Sequence, residues 1–155
     1  MADVFSVSKR SEVMAQIRAR GNKATELEFA RLLRRHNVTG WRRHVAVTLQ
    51  NPKKGAAGTS RSRVRPDFVF PKYKIAIFVD GCFWHGCAEH FTAPASNVEF
   101  WRTKLAQNRK HDRWATKALR NKNWHVLRIW EHQLQNDRRV MIKVMRALAE
   151  SSSVR

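Results

Sequence analysis

No stretch of this 155-residue chain approaches the roughly 20 apolar residues that a membrane span requires. Its first ten residues, MADVFSVSKR, hold no apolar segment of the kind a secretory signal carries. Cysteine is scarce. Cys82 and Cys87 stand five apart, where a disulfide would close only a small loop and stabilise little. Reduced or metal-bound thiols in a reducing cytoplasm are therefore expected. No segment repeats another. Acids are the most telling shortage, with 12 Asp+Glu against 31 Lys+Arg and a net charge of +19. Such a field predicts a polyanionic partner, nucleic acid before an acidic membrane. At 43% hydrophobic, with 8 Phe and 6 Trp, the chain is too apolar for a disordered basic tail. Its length fits a single domain over residues 1–155, with an ordered core from about residue 8 to residue 150.

One further absence is local. Residues 75–98, IAIFVDGCFWHGCAEHFTAPASNV, contain no Lys or Arg, whereas elsewhere nearly one residue in four is basic. The same window holds both cysteines, two histidines, two acids and four aromatics. A basic protein that withholds charge from one stretch has given that stretch another task.

What is present reads as an α/β domain with a mixed central sheet flanked by helices, in two or three layers. Ser8 can cap a short helix whose apolar face is Val13, Met14 and Ile17. A second helix is expected over residues 24–36, ended by the segment 37–40. Residues 41–49 alternate and predict a strand. The stretch 50–65 is rich in Gly, Ser, Lys and Arg and reads as a flexible basic loop. Strands are expected over 67–70 and 75–79, joined by the tight turn at 71–74, and the second suits a buried central position. Ser96 and Glu99 have the spacing of a capping box opening a helix over 98–121. A strand over 125–130 and an amphipathic helix over 137–149 complete the order α-α-β-β-β-α-β-α.

The chemistry-bearing residues fall in or beside the neutral window. Cys82, Cys87 and His90 lie within nine residues, and His132 follows a strand that can return beside them. Four sulfur and nitrogen donors of this kind suit a closed, structural Zn²⁺ site. Two buried reduced thiols with solvent-exposed histidines are the alternative. Asp67 follows Pro66 at the start of one strand and Asp80 ends the next, so two carboxylates can meet at one sheet edge. Hard oxygen ligands hold Mg²⁺ beside a phosphate, whereas a lone Pro-Asp is more often a turn. His85 is not needed for the zinc set and suits a general base. Glu26 is a further outer acid. Phe83 and Trp84 are either core or wedges that unstack a base step. The same choice applies to Met14, for which core is the simpler reading.

Arg65-Pro66-Asp67-Phe68-Val69, Phe78-Val79-Asp80-Gly81-Cys82-Phe83-Trp84-His85-Gly86-Cys87, Glu99-Phe100-Trp101 and Trp130-Glu131-His132 together resemble the very short patch repair (Vsr-type) DNA mismatch endonucleases. The resemblance runs from about Arg10 to Leu134. It implies a fold related to type II restriction endonucleases, stapled by zinc. It implies a Mg²⁺-dependent nick in one strand, on the 5′ side of the thymine of a T:G mismatch left by deamination of 5-methylcytosine. A cytosine-5 DNA methyltransferase is the implied partner system, and a cytoplasmic monomer acting on the nucleoid is expected.

Carried onto this chain, the resemblance makes Asp67 and the main-chain carbonyl of Val79 the Mg²⁺ ligands. His85 becomes the general base and Glu26 the group that orders water at the metal, while Asp80 remains a candidate second acid from its place at the strand end alone. Cys82, Cys87, His90 and His132 become the zinc ligands. Met14, Phe83 and Trp84 become wedges, and Lys104 and Asn108 contacts to the mismatch and its flanks. Three departures stand out. Ile77-Phe78-Val79 supplies no Glu-x-Lys, the loop 50–63 is long and basic, and His111 stands where an arginine is expected. Two other functions compete: a restriction-like nuclease with different mismatch or paired-DNA specificity, and a non-catalytic zinc-stapled DNA-binding module.

Overall fold

The computed structural model describes residues 7–49 and 62–153; side chains at 7, 10, 11, 13, 14 and 17–22 are outside that description. Among the described residues the order is α1 (Val7–Arg35), β1 (Arg42–Arg43), β2 (Val47–Leu49), β3 (Ser62–Val64), β4 (Phe68–Phe70), β5 (Ile75–Asp80), α2 (Val98–Arg120), β6 (His125–Trp130) and α3 (Asp137–Ser153). Short 3-10 turns at Pro71–Tyr73 and Glu131–Gln135 link β4 to β5 and β6 to α3. No described helix is long and apolar enough to cross a membrane.

The main sheet has the order β1-β4-β5-β6 and is mixed: β4 and β5 are antiparallel, β5 and β6 parallel. The tight turn at 71–74 permits the first pairing, with Lys74 in the left-handed region (φ 50) closing it. A parallel pair needs a long crossover, and the segment between Asp80 and His125, including all of α2, supplies it. Alternation along β5 divides the core in two. Ile75, Ile77 and Val79 join Phe29, Leu33, Phe68, Ile129, Val140 and Val144, under α1 and α3. On the opposite face Ala76 joins Ala115 and Leu119 of α2 with Leu49, Val64 and Val126. The arrangement is three layers, and β5 is buried from both sides because its residues are apolar at successive positions.

Four expectations about local structure change. The two expected N-terminal helices are one continuous helix, because Gly21 costs only about 1 kcal/mol in a helix interior. Asn37 (φ 55) ends it, with the Val38 N–H donating to the Leu33 carbonyl. The expected strand over 41–49 is broken into β1 and β2 at His44, whose φ of 54 no strand accommodates. Ser62–Val64, expected within a loop, pairs antiparallel with β2; residues 50–61 lie outside the described residues. The capping box does not form. Asn97, in a left-handed conformation, is the N-cap of α2, so Ser96 sits one residue too early and Glu99 pairs with Arg102 instead.

Candidate active site

Topology brings the candidate residues to one end of the sheet. Because β5 and β6 are parallel, Asp80 pairs with Trp130 and both strands deliver their following loops to the same edge. Because β4 is antiparallel to β5, the start of β4 lies there as well. Three groups of ionisable side chains result.

The first lies toward α1. Asp67 Oδ2 accepts the Val79 N–H (2.7 Å) just beyond the β4–β5 ladder. Buried Glu26 comes close by, its Oε2 held by Arg43 Nη2 (2.6 Å) and His44 Nε2 (3.0 Å). Burial drives the Asp67 carboxyl up to about 7, only partly opposed by the Val79 N–H; the charges of Glu26 and Asp80 push the same way and Arg128 opposes them. Oxygens of Glu26 and Asp67 and a nitrogen of His44 lie within 4.8 Å of one another. A buried carboxyl beside a second acid lacks compensating positive charge, and a divalent cation would supply it.

The second group lies toward α2. Asp80 makes a two-pronged ion pair with Arg128 (Nε–Oδ2 2.7 Å, Nη2–Oδ1 2.6 Å). Arg128 also reaches Asp112 Oδ1 at 2.9 Å, and its guanidinium stacks 4.6 Å from the Phe78 ring. His85 Nδ1 is 2.6 Å from Asp112 Oδ2 and 3.8 Å from Asp80 Oδ1. Burial would raise the Asp112 carboxyl, but the His85 hydrogen bond and the charges of His85 and Arg128 outweigh it and hold it below the ordinary value. Arg128 has a reinforced charge, because the two carboxylates overcome its own desolvation. Asp67 and Asp80 therefore reach the same edge but serve separate clusters, Asp67 with Glu26 and His44 and Asp80 with His85 and Asp112.

The third group is Cys82, Cys87, His90 and His132, all within 4.8 Å by their donor atoms. Cys82 Sγ is 3.2 Å and Cys87 Sγ 3.6 Å from His132 Nδ1, and Cys87 Sγ is 3.9 Å from His90 Nδ1. The thiols are free and buried. Tetrahedral bonds of 2.0–2.3 Å around zinc imply ligand–ligand edges of about 3.5 Å. The four residues fit a metal ion of that kind. Glu131 ties this loop to β6, its Oε2 accepting the Cys82 N–H at 3.2 Å.

The turn between the cysteines is clamped from α2. Asn108 Nδ2 donates to the Trp84 carbonyl (2.8 Å) and Arg109 Nη2 to the Gly86 carbonyl (2.9 Å). Gly86 is needed twice over: its φ is +62, and a Cβ would lie 2.5 Å from Arg109 Nη2. Phe83 and Trp84 are half-buried and pack on the buried Trp101 ring at 5.1 and 5.9 Å. They are thus partly core and partly presented. Lys104 is half-buried one turn N-terminal to Asn108 on α2, and His111 is exposed and packs on Trp114 (5.5 Å). Met14 falls on α1, but its side chain lies outside the described residues.

Sequence reasoning missed Asp112, Arg128, Arg109 and His44. A lone guanidinium inside the strand HVLRIW was a legible signal of a buried ion pair. Asp112, between His111 and Arg113 in a basic stretch, was a weaker one. Nothing marked His44, because its position depends on a backbone conformation.

A model of the family described as DNA mismatch endonuclease Vsr matches residues 58–90. The DNA mismatch endonuclease Vsr of Escherichia coli (strain K12) is 35% identical over 136 residues, 87% of this chain and 77% of that protein. The Type II nicking enzyme V.XorIIP of Xanthomonas oryzae pv. oryzae is 31% identical over 137 residues, 88% and 89% of the two chains. The Type II nicking enzyme V.NaeI of Lentzea aerocolonigenes is 45% identical over 75 residues, which span 48% of this chain and 45% of that relative.

Proposed function

The chain belongs to the Vsr family of DNA mismatch endonucleases, and from that premise we propose that it nicks one strand of duplex DNA 5′ to the thymine of a T:G mismatch. The observation that carries this reading is the His85–Asp112 pair at 2.6 Å, set at the sheet edge that also holds the buried Asp67 carboxyl. With Nδ1 committed to Asp112, His85 keeps Nε2 to accept a proton from an attacking water. Asp112 orients the ring, and Arg128 holds Asp112 in place. Asp80 completes this unit by anchoring Arg128 rather than by touching substrate.

Mg²⁺ is the proposed cation, and when bound it neutralises charge developing on the phosphate. Asp67 and the Val79 carbonyl would hold it. A strand residue directs its N–H and C=O to the same side, and the Val79 N–H already points at Asp67. Glu26 orders water at that site. Zn²⁺ is proposed for Cys82, Cys87, His90 and His132, where it fixes the turn that carries His85. Phe83, Trp84 and Met14 are the proposed wedges, and Lys104 the proposed contact beside the mismatch. Asn108 clamps the turn in this structure and would meet DNA only through its remaining polar atoms. A restriction-endonuclease-like ancestry agrees with the mixed sheet and its flanking helices. The likeness to type II nicking enzymes supports a functional link to a DNA methyltransferase.

A nicking assay on T:G, other mismatched and fully paired duplexes tests the proposal. Asp67→Ala and His85→Ala should each lower the rate by about 10²-fold or more while duplex binding persists. Full activity of either variant would sink the assignment. Equal cutting of paired DNA would favour the restriction-like alternative, and no scission with any divalent ion the non-catalytic one.

A further inference from the structure

The Asp67 cluster contains a third side chain that the proposed mechanism leaves without a role. His44 arrives there through its backbone. Between β1 and β2 it adopts φ 54, a left-handed conformation that costs a residue with a Cβ about 1–2 kcal/mol. Its N–H donates to the main-chain carbonyl of Asp67 at 3.2 Å, which locks the two residues together. The turn carries the imidazole Nε2 to 3.0 Å from Glu26 Oε2. Arg43 already meets that same oxygen at 2.6 Å, so the carboxylate charge is answered without the imidazole. The side chain is 48% exposed, so burial of an apolar ring does not explain the strained conformation. One nitrogen and two carboxylate oxygens, from three different elements of the chain, lie within 4.8 Å of one another.

We propose that His44 is a third ligand of the Asp67 cation site, beside Asp67 and the Val79 carbonyl and with Glu26 ordering water there, and that the site holds a first-row transition ion such as Mn²⁺ in preference to Mg²⁺. Mg²⁺ takes oxygen ligands and keeps its waters, whereas imidazole suits transition ions. An all-oxygen site needs no histidine, and this one spends backbone strain to place one. The inference rests on Asp67 being a cation ligand, as proposed above.

The test uses the full chain with its Cys/His site loaded with zinc, and titrates Mn²⁺ and Mg²⁺ separately. Bound Mn²⁺ is read by electron paramagnetic resonance, and nitrogen ligation by electron spin-echo modulation from ¹⁴N. His44→Gly and His44→Asn both tolerate φ 54, so neither adds strain. In the unsubstituted chain the Mn²⁺ signal should carry ¹⁴N modulation. Both variants should lose it and bind Mn²⁺ about tenfold more weakly, equivalent to about 1.4 kcal/mol, with Mg²⁺ affinity changed less than about twofold. Absent modulation in the unsubstituted chain, or unchanged Mn²⁺ affinity in both variants, overturns the ligand role. Asp67→Asn separates this from failure of the underlying site. If it leaves Mn²⁺ and Mg²⁺ affinity intact, Asp67 holds no cation and both readings fall.

Discussion

Asp112 shows how much one residue decides. It is one of two acids on α2, and it faces His85 and Arg128 together. Its carboxyl is held below the ordinary value, so its contribution to stability is complete above the ordinary carboxylate range near pH 4 and is lost as pH falls through the lowered value. Asp112→Asn should therefore cost about 1–3 kcal/mol at neutral pH. The gap to the unsubstituted protein should close as pH drops below the ordinary carboxylate range, measured by urea denaturation at a series of pH values. The same variant should slow nicking by at least about tenfold, because His85 loses its orienting partner. His111 makes no such pairing. It packs on Trp114, and exchanging it for the arginine expected there should leave stability within about 0.5 kcal/mol.

At the level of elements, the turn from Gly81 to Cys87 is held at both ends and clamped in the middle. Backbone bonds from His85 to Gly81 and from Cys87 to Cys82 fold it, while Asn108 and Arg109 fasten it to α2. Gly86→Ala would add left-handed strain and a clash with the Arg109 guanidinium. A loss of about 1–2 kcal/mol is expected, seen as a lower melting temperature together with weaker metal binding at the cysteines. The window's lack of Lys and Arg, visible in the sequence, has its explanation here. Its main chain is already held by Asn108 and the Arg109 guanidinium from α2, and its interior is aromatic or formed by the Cys/His cluster. The strands were equally legible: the run at 75–79 and HVLRIW appear as β5 and β6, the former one residue longer. Breaks were not. His44 and Asn97 both take positive φ, and neither is a glycine that would announce the turn.

For the whole molecule, the described parts are joined at one sheet edge, and metal should act on all of them. Removing metal from the Cys/His site should destabilise the fold, since an ion bound only to the native state at ~1,000 times its Kd contributes about 4 kcal/mol. Thermal melts with and without chelator check this, and Cys87→Ser should show the lower melting temperature even with zinc present. The +19 charge acts at the same scale. Duplex affinity should fall with salt along a log–log slope of about −5 or steeper, the value for roughly six phosphate contacts. A slope near zero would remove electrostatics from the account of DNA binding.

The sequence by itself determined the substrate class, through its charge. It also determined the order of the later elements, through apolar periodicity, and the identity of the motif residues. These are local or additive properties, readable one window at a time. Only the tertiary structure decided how those residues are divided. Asp80 is paired with Arg128 while Asp67 lies with Glu26, although the end of β5 and the start of β4 share one sheet edge. Partners such as Asp112 for His85, 27 positions apart, and His132 for Cys82, 50 apart, depend on the parallel pairing of β5 with β6. That pairing fixes which loops share an edge, a geometric fact that no local pattern encodes.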